Sequence, residues 1–395
     1  PSSFGDLFQG DNDDSSSCRT SYILEYGTAG YTTPKATGYN SVRRPGQPTA
    51  RAHWRQDDPD TMDVGDVYGS GSPTGVAIYE NGALGAAFNG TLLNCEPSRN
   101  TIFGYKLQPQ KGAFALSEAT RKDFITSNPT REFEGTDFHR IKTPGKSGEH
   151  IWFRPSDVAV GPDGAIYVAD WFDPRTGGHA ALDSSFAGAI YRITPKGKKL
   201  TTPKIDVSTT AGQIAALRSP APNVRAGGFN RLKAAGDKVV DDVAALLADA
   251  NPYVASRAVW LLAQLGDKGA ALARKELASS DDTRRLVAFR ALRAADRDVF
   301  SLCESMAKDK SAAVRREVAI ALRDFKTPAA VATLVTVAKG FDGLDRAYLA
   351  AIGLGAIDRE AEVYAALDKE MGAAPAAWSP AFAALTWRLP PPQSV

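Results

Sequence analysis

The run Pro155-Ser-Asp-Val-Ala-Val-Gly-Pro-Asp-Gly-Ala-Ile-Tyr-Val-Ala-Asp, ending at Asp170, decides how the first half of this chain is read. Both of its ends alternate in character with a period of two, the pattern of a half-buried strand. Between them, Gly161-Pro-Asp-Gly is a turn signal in which Gly164 can take positive φ without steric cost. The stretch predicts an antiparallel hairpin of the kind found in β-propeller blades.

Short β-rich runs between turn signals recur around it: Tyr22-Ile-Leu-Glu-Tyr, Gly75-Val-Ala-Ile-Tyr, Thr91-Leu-Leu-Asn-Cys, Ile102-Phe-Gly-Tyr-Lys-Leu and Ala189-Ile-Tyr-Arg-Ile. Residues 1–196 are therefore expected to form a partial, open β-propeller, about half of a ring of six or so blades. Its end strands would expose unpaired edges, which natural proteins usually avoid.

Near residue 200 the composition changes from Gly, Asn, Tyr and Phe to Ala, Leu, Arg and Asp. The polar runs Thr194-Pro-Lys-Gly-Lys-Lys and Thr201-Thr-Pro-Lys suit a linker, placed at 197–212. Beyond it, Val224, Val254, Arg284, Val314 and Leu344 recur every 30 residues. Four positions on stand Gly228, Ala258, Ala288, Val318 and Tyr348, and eight positions on Leu232, Leu262, Leu292, Leu322 and Ile352. Positions i, i+4 and i+8 share one helical face. Each unit then turns into a second helix, as at Val243-Ala-Ala-Leu-Leu-Ala and Ala330-Val-Ala-Thr-Leu-Val. This predicts an α-solenoid of HEAT-type helix pairs over residues 213–375, with a helical bundle as the alternative. Residues 376–395 are expected as a C-terminal tail, since Pro390-Pro-Pro-Gln cannot continue a helix. Arg225, Arg257, Arg285, Arg315 and Arg316 are either a binding ridge or partners for Asp249, Asp281, Asp282 and Asp309 in neighbouring units, the commoner use.

Composition excludes several classes. With 43% hydrophobic and 23% charged residues, the 395-residue chain is neither disordered nor collagen-like. Its longest apolar runs, such as Ala258 to Ala263, fall far short of the roughly 18 residues a membrane helix needs. A net charge of +2 gives no sign of a nucleic-acid partner. Cys18, Cys95 and Cys303 stand far apart, without CxxC or CxxCH, so neither a zinc ribbon nor a c-type haem is expected. A single Cys18–Cys95 bridge is left open. The start at Pro1 reads as a cut or processed end.

Two constellations carry chemistry. Asp11-Asn-Asp-Asp follows the strand-like Gly5 to Gly10, and these hard oxygen donors are of the sort calcium selects, although the EF-hand spacing is not met. An exposed Asx turn is the competing reading. The second is Asp170-Trp-Phe-Asp-Pro-Arg-Thr-Gly-Gly-His, where a strand end delivers Asp170, Asp173, Arg175 and His179 into a glycine-containing loop. Acid, base, guanidinium and indole in one loop suit proton transfer and sugar stacking. Its structural alternative is a blade-closing loop in which the carboxylates cap turns. His53, His139 and His150 stand singly, Gly69-Ser-Gly-Ser-Pro-Thr-Gly lacks the lysine of a P-loop, and no GxSxG elbow is present.

The order Gly5-Asp-Leu-Phe, Cys18-Arg19, Tyr26-Gly, Ser72-Pro-Thr-Gly-Val-Ala-Ile-Tyr-Glu, Arg154-Pro-Ser-Asp-Val, Asp170-Trp-Phe-Asp, Gly178-His and Ile190-Tyr-Arg-Ile resembles the glucose/sorbosone dehydrogenase-like propellers. It is similar above all to large planctomycete and verrucomicrobial membrane-bound dehydrogenases, in which such a propeller precedes HEAT-like repeats and a haem-binding cytochrome c domain. The resemblance spans about residues 1 to 360. It implies a segment of a periplasmic or secreted oxidoreductase, membrane-associated in the parent protein, that acts on sugars or aldehydes and passes electrons to a cytochrome c domain or another protein through the solenoid. Calcium and pyrroloquinoline quinone are the implied cofactors. The implied roles are catalysis for His179, as base, with Asp170 and Asp173; cofactor binding for Arg19, Arg154, Trp171 and Arg175; and metal binding for Asp11, Asn12, Asp13 and Asp14. Where the family places Glu-His-Gly-Pro, this chain has Asp11-Asn-Asp-Asp, and the family's early blades and CxxCH have no counterpart here. The chain thus reads as the middle of a longer protein, not expected to be active alone. The alternative function is a non-catalytic propeller–solenoid scaffold that binds protein or polysaccharide.

Overall fold

The computed structural model describes residues 1–12, 17–30, 44–48, 51–52, 54–131, 153–171 and 188–389. A β region is followed by an α region, the expected fold class. The strands are β1 Leu7–Asp11, β2 Cys18–Ile23, β3 Asp66–Gly69, β4 Val76–Tyr79, β5 Thr91–Glu96, β6 Thr101–Lys106, β7 Pro109–Gln110, β8 Ala113–Phe114, β9 Arg121–Thr126, β10 Pro155–Val160, β11 Ile166–Asp170 and β12 Ala189–Ile193. They form three open antiparallel sheets ordered β1-β2-β3, β4-β5-β6-β9 and β10-β11-β12, plus the short ribbon β7-β8. The stretch that opened the sequence reading is the β10–β11 hairpin, with Val160 opposite Ile166 and Val158 opposite Val168. Gly164 closes it at φ 79°. A side chain there would also meet the Ala83 backbone nitrogen at 2.6 Å, so the turn needs glycine twice over.

The period-two alternation places the core. On β5, Leu93 and Cys95 face the third sheet and join Tyr79, Ile102, Val158, Val160, Ile166 and Val168 in one apolar cluster. The intervening Leu92, Asn94 and Glu96 are also buried but point the other way, toward the first sheet. The run from Tyr22 was expected to stay extended to Tyr26. It ends at Ile23 because Tyr26 takes φ 62° and Gly27 N donates to Leu24 O at 3.0 Å.

The helices are α1 Thr210–Leu217, α2 Pro222–Ala235, α3 Val240–Ala244, α4 Pro252–Leu262, α5 Gly266–Lys275, α6 Asp282–Ala294, α7 Val299–Met306, α8 Ala312–Leu322, α9 Pro328–Ala338, α10 Arg346–Gly355, α11 Glu360–Met371 and α12 Pro380–Arg388. First helices of successive pairs begin at 222, 252, 282 and 312, the 30-residue period read from the sequence. Leu232, Leu262, Leu292, Leu322 and Ile352 are all fully buried. The fifth unit slips: α10 starts at Arg346, and Leu344 is 78% exposed. Like helices stack on like, α6 on α8 and α8 on α10, with α9 on α11 alongside. The stretch expected as a tail contains α12, which buries Phe382 and Leu385. No described helix is long and apolar enough to cross a membrane.

The chain packs as two compact units that do not follow the composition change. One gathers residues 1–22, 64–108 and 115–257, the other 23–63, 109–114 and 258–395. Within the second, Arg293 pairs with Glu25 at 2.5 Å, Arg346 Nε donates to Thr61 O at 3.2 Å, and Gly112 N donates to Asp345 Oδ2 at 2.7 Å.

Candidate functional site

The six described residues of the expected site fall into two groups. Asp170 ends β11, is 4% exposed, and accepts a hydrogen bond from Arg154 N at 2.7 Å. The Arg154 guanidinium is 1% exposed and donates through Nη1 to Pro97 O at 2.7 Å, so it braces the turn after β5. Trp171 N donates to Arg154 O at 2.9 Å, while its side chain is 56% exposed. Tyr191, opposite Val168, has its phenol pKa raised by burial and then by the Asp170 charge.

The second group is Asp11, Asn12 and Arg19. Arg19 is 2% exposed and its Nε meets Asp11 Oδ2 at 3.2 Å. Gln9 Nε2 also donates to Asp11, and the Cys18 thiol donates to Asn12 Oδ1 at 3.6 Å. The cation beside Asp11 is thus a guanidinium of the protein itself, and calcium ligation by Asp11 would require that pair to open. Asp11 is thus already engaged by Arg19 and Gln9, and the Arg19 and Arg154 side chains are buried. Asp13, Asp14, Asp173, Arg175 and His179 lie outside the described residues, as do His53, His139 and His150. Cys18 and Cys95 are buried free thiols, so the bridge left open by the sequence is not formed.

The structure assembles a different cluster, which sequence reading missed, between the first two sheets. Asp66, 2% exposed at the start of β3, accepts from Tyr105 Oη and from Arg121 Nη1, each at 2.8 Å. Thr20 Oγ1 accepts from Asn94 Nδ2 at 2.6 Å and donates to Tyr105 Oη at 3.2 Å. Glu96, at the end of β5 and fully buried, accepts from Ser72 N at 2.7 Å and Tyr68 Oη at 2.9 Å. Burial pushes its carboxyl up to about 7 against the pull of these donors and of Arg99. Gly71 makes room for it, since a Cβ there would lie 2.6 Å from Glu96 Oε2. The glycine-rich stretch from Gly69 to Gly75, expected as a turn, joins β3 to β4 and supplies a donor to a buried acid. Arg99 and Arg121 stand 5.6 and 5.5 Å from the Tyr68 ring centroid, and Arg121 stands 5.2 Å from that of Phe103.

The repeat arginines are structural hooks. Arg285 Nη1 donates to Ser279 O at 2.9 Å while its Nε reaches Asp309 at 2.7 Å, joining one turn to the next. Arg315 donates to Lys310 O at 3.1 Å and reaches on to Gly340 O at 3.1 Å. Arg316 and Arg290 enclose the buried Glu317, whose carboxyl burial would raise but which the two guanidiniums hold down at about 2. Arg225 and Arg257 also hook carbonyls, of Pro220 and Leu217, and in addition converge on Glu80, at 3.2 and 2.7 Å, where Ser3 Oγ also donates at 2.6 Å. Burial and the neighbouring Arg257 lower the Arg225 pKa to about 10.

An antiparallel β region with buried polar seams, leading into paired helices, is the class this geometry defines. Residues 5–196 match a family described as a domain of unknown function, DUF7133. No curated protein matches the chain.

Proposed function

We propose that this chain is a binding scaffold whose β sheets and helix pairs present surfaces to a polysaccharide or another protein. The observation that supports it is the Asp11–Arg19 pair: the carboxylate expected to hold calcium is already held by a buried guanidinium at 3.2 Å. Asp170 is also engaged, accepting from the Arg154 backbone N–H and so fixing a strand end instead of presenting an acid. Titration calorimetry of calcium, then of pyrroloquinoline quinone, tests the reading. Absence of binding by either, together with retardation on a polysaccharide gel, is the expected result. Stoichiometric quinone binding to the calcium-loaded chain overturns it.

A second reading, a segment of a periplasmic or secreted quinone-dependent sugar or aldehyde dehydrogenase, is favoured by Trp171, a 56% exposed indole next to the buried Asp170. An exposed indole offers a flat apolar face of the kind on which sugar rings stack. The same titration decides between the two.

A further inference from the structure

The three sheets treat their outer edges differently. Beyond β6 runs β9, paired from Thr101 with Thr126 to Tyr105 with Arg121. On and just past β3, the carbonyls of Tyr68 and Ser70 are taken by Arg99, through Nη2 at 2.9 Å and Nε at 3.0 Å. β12 has no such cover. It pairs with β11 on one side, and among the described residues no strand or hydrogen bond reaches its main chain from the other. Ile190 on this strand is 76% exposed. Natural proteins usually protect such an edge, so a bare one is a place for another strand to add. We propose that β12 is a strand-addition edge that takes an extended, acidic segment of a partner protein; the inference rests on the scaffold reading and names its partner class.

The strand is held in shape before any partner arrives. On its inner face, Tyr191 lies opposite the buried Val168 with its ring centroid 6.1 Å from that of Phe153, and Ile193 packs on the apolar cluster. On the outer face, Arg192 Nε donates to Asp163 Oδ2 at 2.9 Å, and its Nη2 reaches Leu200 O at 3.0 Å. An antiparallel edge strand turns the N–H and C=O groups of alternate residues outward. With both faces anchored, β12 offers these groups without first having to order itself, which favours main-chain recognition.

Charge selects the occupant. Directly after β12, Lys196, Lys198 and Lys199 are exposed around a turn in which Gly197 takes φ 75° and Lys198 N donates to Pro195 O at 3.1 Å. Among the described residues none of the three has an ion-pair partner, nor does the exposed Lys204. Arg192, whose charge Asp163 already meets at 2.5 Å, is no part of this excess. From Thr194 to Ile205 there is no carboxylate, and Asp206 beyond it accepts from Ser208 Oγ at 2.6 Å. Unpaired cations at the Ile193 end of a bare strand call for Asp or Glu in the added segment there, and Ile190 calls for an apolar neighbour. At the other end Ala189 lies opposite Asp170, so charge also fixes the direction of the added strand.

The experiment is fluorescence anisotropy of a labelled short peptide of alternating Glu and Val, titrated with the full chain. It is expected to bind saturably. A Lys–Val peptide should bind at least tenfold more weakly, and so should the Glu–Val peptide N-methylated throughout, which keeps its charge but loses the amide donors of a new strand. The triple variant Lys196→Glu, Lys198→Glu, Lys199→Glu changes exposed side chains and is expected to keep the wild-type circular dichroism while weakening the peptide at least tenfold. The milder Lys196→Gln, Lys198→Gln, Lys199→Gln set serves if that one misfolds. No saturable binding at millimolar concentration, or binding that survives either N-methylation or the lysine variant, overturns the proposal. So does a dimer of the chain alone in sedimentation that Ile190→Ser dissociates, since it gives the edge to a second copy. Loss of this site with polysaccharide retention intact would leave the scaffold reading standing, whereas quinone binding removes that reading without touching the peptide result.

Discussion

The two faces of the β4-β5-β6-β9 sheet solve one burial problem with opposite chemistry. Against β10 and β11 the sheet buries Tyr79, Leu93, Cys95 and Ile102 on Val158, Val160, Ile166 and Val168, an apolar seam. Against β2 and β3 it buries Asn94, Glu96 and Tyr105 on Thr20, Tyr68 and Asp66. The apolar seam tolerates small errors, because lost area costs in proportion to its size. The polar seam does not, because a charge left behind in a dry interface keeps its whole desolvation penalty.

The sharpest way to break this comparison is Asp66→Leu, which strands Arg121 and the Tyr105 hydroxyl. The expected loss is about 3–5 kcal/mol by urea titration, with most of it recovered in the double variant Asp66→Leu, Arg121→Leu. A loss no larger than that of a trimmed methyl group would mean that the polar seam is not distinct.

The next effect is on pH dependence. The folded-state pKa of Glu96, about 7, lies above its ordinary value of 4.5. Between the two the folded chain binds the extra proton, so this contribution is fully present below the ordinary value and is lost as pH rises through about 7. The loss approaches about 3 kcal/mol. Glu96→Gln should remove that slope, measured as the difference between wild-type and variant stability across the window. A slope unchanged in the variant would assign the titration elsewhere.

The smallest effect sharpens the other face. Ile102→Val should cost about 1 kcal/mol, as expected for one buried methylene. The cost should change little with pH, since the titratable members of the cluster, Cys95 and Tyr79, both have their pKa values raised by burial. A pH-dependent cost there would show that the two seams communicate.

How much was legible follows from the same contrast. Strands β4, β5, β6, β10 and β11 were readable because their inward residues are apolar and alternate. β3, Asp66-Val-Tyr-Gly, and β9, Arg121-Lys-Asp-Phe-Ile-Thr, were missed because their inward charges satisfy each other at 2.8 Å and leave no hydrophobic period. Glu96 and Tyr68 are 28 residues apart, and nothing local marks either as half of a buried pair. The helix pairs were legible as far as the fourth unit. The fifth starts late because Asp342 to Asp345 is engaged: Asp342 binds Lys111, and Asp345 both holds Gly112 N and caps α10 through Tyr348 N at 3.0 Å. Of the expected site, Asp11 meets Arg19, eight residues on, a pairing that nothing local in the sequence marks.

Sequence alone determined the order of a β region before a helical one, the hairpin at Gly164 and the 30-residue helical period, because each is a local pattern of side-chain burial repeated along the chain. Only the tertiary structure decided which buried polar groups face one another. Thr20, Asp66, Asn94, Tyr105 and Arg121 come from five strands, and their pairing exists only once those strands have been brought within hydrogen-bond reach.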